Sequence, residues 1–281
     1  MTRERKRKIE GFVAMTLSTM AALLGLFWLI FILGDVLVHG LKAFNLSLFT
    51  NDPVPAGVEG GGLRNAFVGQ IMITVCATLI GVPIGVLGGT FLAEYARGKK
   101  IARIISVLSD IMVSVPSIVI GTFIYAVLVK PLGHFNGWAG AIALSIIMIP
   151  VVLRTTEDML TLVPWTLREA AFALGAPYYK VIIQVVYRGA SAGILTGILL
   201  SIARVSGETA PLLFTSFNNS FFSADMNRPV ASLTVTIFQY AMGPYDNWHQ
   251  QAWAAALVIT ISILMLTVIG RLLIQGRHGK R

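Results

Sequence analysis

The sequence predicts an all-α integral membrane protein with six transmembrane helices. Of its 281 residues, 56% are hydrophobic and only 12% are charged, whereas a soluble domain carries roughly 25% charged residues. A helix needs roughly 17–25 mostly apolar residues to cross a bilayer, and uncharged runs of that length recur along the chain. A mean hydropathy of +0.77 agrees with lipid as the solvent around these helices.

Five uncharged or almost uncharged runs predict transmembrane helices directly. A sixth, 189–203, is short, so we predict that this helix continues through Arg204 and Glu208. The basic segment 3–8 resembles the start of a signal peptide, but the apolar run behind it is too long and no small-residue cleavage site follows it. We therefore interpret it as part of a retained helix. The predicted helices of this single transmembrane domain, 1–281, cover approximately 11–36, 66–93, 108–129, 134–154, 189–210 and 249–271.

The basic residues predict the orientation of the helices, because Lys and Arg favour the cytoplasmic side of a membrane. If the N-terminus is cytoplasmic and six helices alternate, most of the 22 Lys and Arg fall in cytoplasmic segments. The outer segments then hold only Lys42, Arg64, Lys130 and Arg228. We therefore predict that both termini are cytoplasmic. The net charge of +9 follows from this topology, and we expect no nucleic-acid partner.

The sequence offers no pattern typical of a nucleotide or metal site. Gly98-Lys99 and Gly279-Lys280 both lack the upstream glycine that a phosphate-binding loop requires. The single cysteine, Cys76, cannot form an intrachain disulfide, and no Cys/His spacing suits a metal. We therefore expect a chain that is not an enzyme and that holds neither metal nor cofactor.

Glycines recur at every fourth residue in the second and fifth predicted helices. They are Gly81, Gly85 and Gly89 in the second helix and Gly189, Gly193 and Gly197 in the fifth. Such spacing lets helix backbones approach closely in lipid. Two interpretations stay open: ordinary packing within the chain, or a surface that slides or lines a pathway.

A cytoplasmic loop, 164–187, carries the signals of two short helices. Thr166 and Glu169 fit a capping box, in which each side chain accepts from a backbone amide at the helix start. Gly175 suits the residue just past a helix end, and Pro177 can open a second helix. The sequence therefore predicts a short helix, a tight bend, and a helix that leads into the fifth span.

Four residues of this loop, Glu169, Ala170, Ala171 and Gly175, resemble the EAA loop of the ABC importer permeases. The resemblance implies a type I ABC importer permease fold. In that family the loop forms a coupling helix that docks on a cytoplasmic ATPase dimer, so these four residues become the candidate ATPase-coupling residues. The resemblance also implies a transport subunit for which a partner hydrolyses ATP.

Four further stretches narrow the resemblance to the permeases of phosphate importers; they cover residues 60–66, 115–121, 154–160 and 206–212. The resemblance implies phosphate as the transported ligand, a second homologous permease subunit and an extracytoplasmic phosphate-binding protein. It places the chain among lipids of the bacterial cytoplasmic (inner) membrane.

Arg204 and Glu208 are one helical turn apart, so a continuous helix places them on one face. Charges inside a membrane are costly and usually face protein or water. Together with Ser201, Ser206 and Thr209, they are the candidate residues of the substrate path. We expect Arg204 to contact the anion and Glu208 to hold Arg204 between cycles. The alternative is an internal salt bridge that fixes packing.

Other assignments stay open from the sequence. Asp110, near the inner end of the third predicted helix, is predicted to be interfacial, and its direct role in transport is undecided. The chain could also serve an ABC importer of another oxyanion, such as molybdate or sulfate. A stand-alone secondary transporter or an intramembrane enzyme is a third class, which the EAA-like loop does not favour.

Overall fold

The computed structural model describes residues 3–55, 58 and 60–278. The part of the chain so described contains helices and connecting segments, with no strand. The α-helices are α1 (Arg3–Ala43), α2 (Ser47–Thr50), α3 (Arg64–Thr90), α4 (Lys100–Ser114), α5 (Ser117–Ile124), α6 (Lys130–Leu132), α7 (Gly137–Thr161), α8 (Trp165–Ala173), α9 (Tyr178–Val181), α10 (Tyr187–Ser206), α11 (Ala210–Thr215), α12 (Leu233–Ala241) and α13 (Asp246–His278). Three π-helical segments, Phe91–Tyr95, Tyr125–Val129 and Ile182–Val186, extend α3, extend α5 and precede α10.

Five helical segments in the described ranges are long and apolar enough to cross a membrane. They are Arg3–Ala43, Arg64–Tyr95, Gly137–Thr161, Tyr178–Ser206 and Asp246–Gly270. The bent pair Lys100–Ser114 and Ser117–Leu132 makes a sixth if it counts as one span.

The span expected at about 108–129 corresponds to two helices, α4 and α5, that meet at an angle of 100°. The bend falls at Val115 and Pro116, whose backbones are extended, with ψ angles of 131° and 133°. Proline has no N–H to donate and disfavours helical geometry in the residue before it. Asp110 therefore lies on α4, before the bend.

The centre of the bundle is the pairing of α3 with α7, and the first glycine stripe builds it. A methyl group added to Gly85 would lie 2.7 Å from Val152 Cβ. One added to Gly89 would lie 2.7 Å from Thr156 Cβ. Real Cβ atoms do not approach this closely, so glycine is what lets the two backbones meet. This stripe therefore packs α3 on α7, which is the interpretation of ordinary packing within the chain.

The second stripe packs α10 on α7. Added methyl groups at Gly193 and Gly197 would collide with Met159 and Thr155 of α7. Ser201, next along the stripe, is 1% exposed. The stripe therefore lies within the chain in this conformation and does not line an open surface.

The fifth transmembrane segment ends earlier than the expected boundary at 210. It begins at Tyr178 and ends at Ser206, and Gly207 closes it by donating to Arg204 O over 3.1 Å. After this turn the chain enters α11, which has proline in its first turn. Pro211 lies against Gly121 of α5, where an added methyl group would come within 2.6 Å of Pro211 Cα. The chain therefore folds back into the bundle instead of leaving it along a straight helix.

The first helix is attached to the bundle near one end. Gly40 packs against Trp253 and Leu257 of α13, and the His39 ring stacks on Trp253 with the ring centroids 5.0 Å apart. The apolar side chains of its middle, such as Phe12 and Phe27, are exposed. Only lipid or another protein can cover such a surface in a membrane.

Candidate functional site

The loop that resembles the EAA motif forms a helix, α8, that protrudes from one end of the bundle. It starts at Trp165, directly after Pro164, which has extended geometry and no side-chain cap. The expected capping box is therefore wrong: Thr166 lies inside the first turn and cannot also occupy the cap position. Proline supplies the helix start instead, because its ring presets the backbone angle and its missing N–H needs no acceptor.

The end of α8 is the one that the sequence predicts. Gly175 has a φ of +79°, a left-handed conformation that favours glycine. Its N–H donates to Phe172 O over 2.8 Å, and the N–H of Ala176 donates to Ala171 O over 3.2 Å. This pair of bonds is a Schellman motif, which satisfies the last carbonyls of the helix and reverses the chain. α9 then follows Pro177.

The outer surface of α8 has the character of a docking surface. Glu169 and Ala170 are exposed, and Ala171 is partly covered. Two large apolar side chains are also open to solvent, Leu167 at 49% and Leu174 at 89% exposed. Exposed apolar side chains beside small residues are typical of a helix that fits a groove on another protein.

The inner side of α8 is fixed by an ion pair that the sequence does not reveal. Arg168 and Glu94 have side chains that are 3% and 1% exposed. Arg168 Nη2 donates to Glu94 Oε1 over 2.6 Å, and its Nε donates to Oε2 over 3.4 Å. From the sequence Arg168 is one more cytoplasmic charge. A hint is present, because Glu94 is the carboxylate that directly follows the uncharged second span.

The same arginine also completes the end of α7. Its Nη1 donates to Val163 O over 2.6 Å, and its Nη2 donates to Leu160 O over 3.0 Å. Tyr178 donates from its hydroxyl to Glu94 O over 2.8 Å. Arg168 and Glu94 therefore bind together α8, the end of α7, the π-helical end of α3 and the start of α9. These bonds connect α8 to both central helices, α3 and α7.

The second group of predicted residues lies at the other end of the fifth transmembrane segment. Arg204 is exposed, and the described residues offer its guanidinium neither a hydrogen bond nor an ion pair. Glu208 lies beyond the helix end, in the turn before α11. The expected pairing of Arg204 with Glu208 is absent from this conformation, because the helix stops at Ser206 and does not carry Glu208 onto the same face.

The hydroxyl residues of this group are distributed between the interior and the turn. Ser201 is buried and donates to Ile198 O over 2.8 Å, so this conformation does not present it to a ligand. Ser206 is half-buried and donates to Ile202 O over 2.8 Å. Thr209 is half-buried and immediately precedes α11. Of the hydroxyl candidates, Ser206 and Thr209 remain close to Arg204 along the chain, at the end of α10.

A buried glutamine, which the sequence also does not single out, holds this end in place. Gln70 on α3 donates to Ser206 O over 3.2 Å and accepts from Leu233 N over 3.1 Å. Thr234 donates to Glu208 O over 2.9 Å. These bonds connect α3 and the start of α12 to the turn after α10, and they fix the backbone around Arg204.

Asp110 belongs to a separate cluster of charges. Arg154 on α7 lies 4.0 Å from Asp110 and 3.9 Å from Asp158, and it donates to Glu157 over 3.1 Å. The Arg154 and Asp110 side chains are 44% and 61% exposed. Asp110 thus lies at an exposed position beside a basic residue, which suits an interfacial residue. Among the residues described, no group of His, Cys, Asp and Glu has the arrangement of a metal site.

Comparison with known proteins decides the family. The family described as "Binding-protein-dependent transport system inner membrane component" matches residues 81–278. The "Phosphate transport system permease protein PstA" of Pasteurella multocida is 50% identical over 266 residues, which cover 95% of each chain. The chain belongs to the PstA family of binding-protein-dependent permeases. The "Probable phosphate transport system permease protein PstA" of Methanocaldococcus jannaschii is 37% identical and covers 94% of this chain and 92% of its own length.

A solved structure supports the fold of this PstA-family chain. The methionine ABC transporter MetNI, in an inward-facing conformation, matches 76% of this chain and 94% of the MetNI chain with a TM-score of 0.61. The sequence identity is 20%, so the likeness concerns the fold alone. The predicted all-α, type I ABC importer permease fold is confirmed. The chain is a multi-pass membrane protein and a transport subunit.

Proposed function

We propose that this chain is the permease subunit that forms one half of the translocation path of a phosphate importer driven by ATP. The observation that carries the proposal is the 50% identity, over almost the whole chain, to a permease named for phosphate transport. The exposed arginine at the open end of α10 supports it, because an anion path needs cationic donors. A second permease subunit, PstC-like, forms the other half.

In this proposal Arg204 contacts phosphate in transit. Phosphate must shed water to cross, and a guanidinium offers a planar fork that matches two phosphate oxygens at once. About 1.5 Å of helix rise per residue puts Arg204 roughly 22 Å along the helix from Gly189, past the middle of a hydrocarbon layer about 30 Å thick. An unpaired arginine at such depth costs about 3 kcal/mol. The partner permease or the water of the path must therefore surround it.

Glu208 acts in this proposal as a brake on the path. When the path is empty, its carboxylate pairs with Arg204 and offsets the cost of the unpaired charge. When phosphate arrives, like charges repel and the carboxylate moves away, towards the position beyond the helix end that it occupies here. The hydroxyls of Ser206 and Thr209 are then free to donate to phosphate, and Ser201 stays behind them as a packing residue until the helix moves.

We further propose that α8 docks on a cytoplasmic, PstB-like ATPase dimer. Glu169, Ala170 and Leu174 present a small, apolar and acidic surface to that partner. Gly175 permits the bend that lets α8 stand out from the bundle. Because Arg168 connects α8 to α3 and α7, closure of the ATPase dimer moves the two central helices. The ATP is hydrolysed by the partner.

The remaining parts of the proposal concern location and topology. The chain lies in the bacterial cytoplasmic membrane with both termini in the cytoplasm, and a PstS-like phosphate-binding protein delivers phosphate from outside. Single cysteines placed at Lys8 and His278 of a chain whose Cys76 is replaced by serine test this topology. We expect a membrane-impermeant maleimide to label both only from the cytoplasmic side. Labelling of either from outside contradicts the topology.

Reconstitution tests the function. The chain is assembled in liposomes with its PstC-like, PstB-like and PstS-like candidates, and ATP hydrolysis and anion uptake are measured with phosphate, sulfate and molybdate in turn. We expect phosphate to stimulate hydrolysis and to be taken up, and the other two anions to do neither. Stimulation and uptake by sulfate or molybdate, without phosphate uptake, assigns the importer to another oxyanion.

A further inference from the structure

A groove of about 280 Å³ runs along the same end of the bundle as α8, between α3 and the start of the fifth transmembrane segment. Three tyrosines line it, together with aliphatic and aromatic carbon: Tyr95, Tyr179 and Tyr187, with Leu87, Phe91 and Ile183. Most of this lining is open to the surroundings, from 42% of Phe91 to 69% of Leu87. The apolar side chains therefore contact something other than this chain.

The walls of the groove include parts of two π-helical segments, Phe91–Tyr95 and Ile182–Val186. A π-helical turn carries one extra residue, which shifts the side chains after it around the helix and frequently marks a functional position. The two walls are joined at one point, where the hydroxyls of Thr90 and Tyr187 lie 2.5 Å apart. The groove is thus a shaped feature of the bundle with a fixed floor.

Each of the three tyrosines is followed within two residues by an exposed basic residue: Arg97, Lys180 and Arg188 respectively. Arg97 lies 5.9 Å from the ring centroid of Trp165. Lys180 and Arg188 have, among the residues described, neither a hydrogen bond nor an ion pair. They are eight residues apart, and both are exposed on the segment that includes one wall of the groove.

No carboxylate lines the groove to oppose these charges. The nearest one in the chain, Glu94, directly precedes Tyr95, but its side chain is 1% exposed and faces Arg168 inside the bundle. The surroundings of the groove are therefore positive, with tyrosine hydroxyls at the boundary between apolar and charged residues. Tyrosines take this position where a transmembrane helix leaves the hydrocarbon, and basic pockets between such helices bind anionic lipid head groups.

We propose that this groove binds an anionic phospholipid. An acyl chain lies along Leu87, Phe91 and Ile183, the hydroxyls of Tyr95 and Tyr179 donate to the glycerol and ester oxygens, and Lys180 and Arg188 bind the head-group phosphate. The bound lipid joins the inner end of α3 to the segment that leads from α8. Since Tyr95 and Tyr178 are in edge-to-face contact with ring centroids 5.4 Å apart, the lipid lies directly beside the Arg168–Glu94 pair and supports the coupling helix.

The test is native mass spectrometry of the full chain in detergent, titrated with phosphatidylglycerol or with phosphatidylcholine of the same acyl chains. We expect the first phosphatidylglycerol to bind more tightly than the first phosphatidylcholine. Because each basic side chain beside an anionic lipid contributes a factor of about five in affinity, Lys180→Ala with Arg188→Ala should weaken phosphatidylglycerol binding about 30-fold. Phosphatidylcholine, whose phosphate charge is offset by its own choline cation, should lose much less affinity.

The matched control is Lys100→Ala with Arg103→Ala, which removes the same charge from exposed positions of α4 that do not line the groove. This variant should retain its phosphatidylglycerol affinity. Ile183→Trp, which fills the groove without changing the charge, should weaken binding of both lipids. All these side chains are exposed, so folding of the variants is not at risk.

Three results overturn the proposal. The first is an equal loss of affinity in the two double variants, which would mean diffuse attraction to positive charge. The second is unchanged binding in the Lys180 and Arg188 variant. The third comes from the assembled importer: a photoreactive amino acid at Tyr179 that crosslinks to another protein subunit, and not to lipid, makes the groove a protein interface.

Discussion

Arg168 lies on α8, before the fifth transmembrane segment, and Arg204 lies near the far end of that segment. The two side chains differ in exposure and in bonding. Arg168 is 3% exposed at its side chain and bonds to Glu94 and two backbone carbonyls. Arg204 is exposed, and its guanidinium has no bonded partner among the described residues. Basic side chains in this permease therefore occupy two different kinds of environment. One arginine completes the structure of the chain itself, and the other is open to the ligand that we propose for it.

The largest effect should follow from disturbing the satisfied arginine. Glu94→Ala leaves Arg168 buried without its counter-charge, and breaking one side of a buried pair typically costs about 3–5 kcal/mol. We expect thermal unfolding of the detergent-purified chain to show this loss, and assembly with the ATPase to fail. Arg97→Ala, an exposed basic residue on the same loop, is the control and should unfold almost normally.

A Glu94→Ala chain as stable as the control would contradict the role given to the pair. The comparison can be sharpened with Glu94→Gln, which keeps an acceptor for Arg168 but removes the charge. We expect a stability between the other two variants, because hydrogen bonds to charged groups contribute about 1.5–3 kcal/mol.

Substitution of Arg204, the exposed arginine, should affect transport but not stability. Arg204→Ala removes the proposed phosphate contact but no contact within the chain, so its stability should change by less than about 0.5 kcal/mol. We expect the assembled importer to lose phosphate uptake, and Arg204→Lys to be impaired because the planar fork is lost. Arg228→Ala, which changes an exposed residue of the segment before α12, should transport normally. Normal uptake by Arg204→Ala would mean that its exposure has no functional meaning.

Substitution at the bend after α8 should affect the coupling of ATP hydrolysis to transport. Gly175→Val forces a β-branched side chain into a left-handed conformation, which costs about 1–3 kcal/mol. We expect the importer to hydrolyse ATP without moving phosphate, because α8 is displaced from its docking position. Gly133 has a similar φ of +76° and also faces open space. Gly133→Val is therefore the matched control for strain, and equal uncoupling by both variants would remove any special role for α8.

The smallest effect on stability should belong to Glu208→Gln. The carboxylate has no ion pair within the described part of the chain, so the substitution should leave the unfolding temperature unchanged. We expect a change in regulation, with ATP hydrolysis proceeding in the absence of the phosphate-binding protein. A variant that remains tightly coupled would show that Glu208 is not the brake.

The sequence predicts local features well where one residue decides the geometry. Gly175 ends a helix because only glycine readily adopts its φ angle. The uncharged runs predict most of the transmembrane helices because hydrocarbon excludes charge. Pro116 was available as a sign of the bend between α4 and α5, but hydropathy alone joined the two helices into one span.

The features that the sequence could not predict depend on contacts between distant residues. Glu94 and Arg168 are far apart along the chain, and only the return of α8 towards α3 brings them together. For Arg204 and Glu208 the sequence predicted a contact that the structure lacks. Their spacing places them on one face of a continuous helix, but the helix ends at Ser206. The capping box at Thr166 failed because Pro164 precedes the first helical residue, Trp165, so Thr166 lies two places further into the helix than a cap residue.

The way α1 is attached has a mechanical consequence. It packs on α13 near His39 and Gly40, and its other end, at Arg3, is about 55 Å away along the helix at 1.5 Å per residue. A rotation of ten degrees at that joint therefore swings the far end by about 10 Å, with little disturbance of the bundle. A fluorescent label at the start of this helix would report the angle between α1 and the bundle. A label on α8 would report the position of the helix that we propose docks on the ATPase.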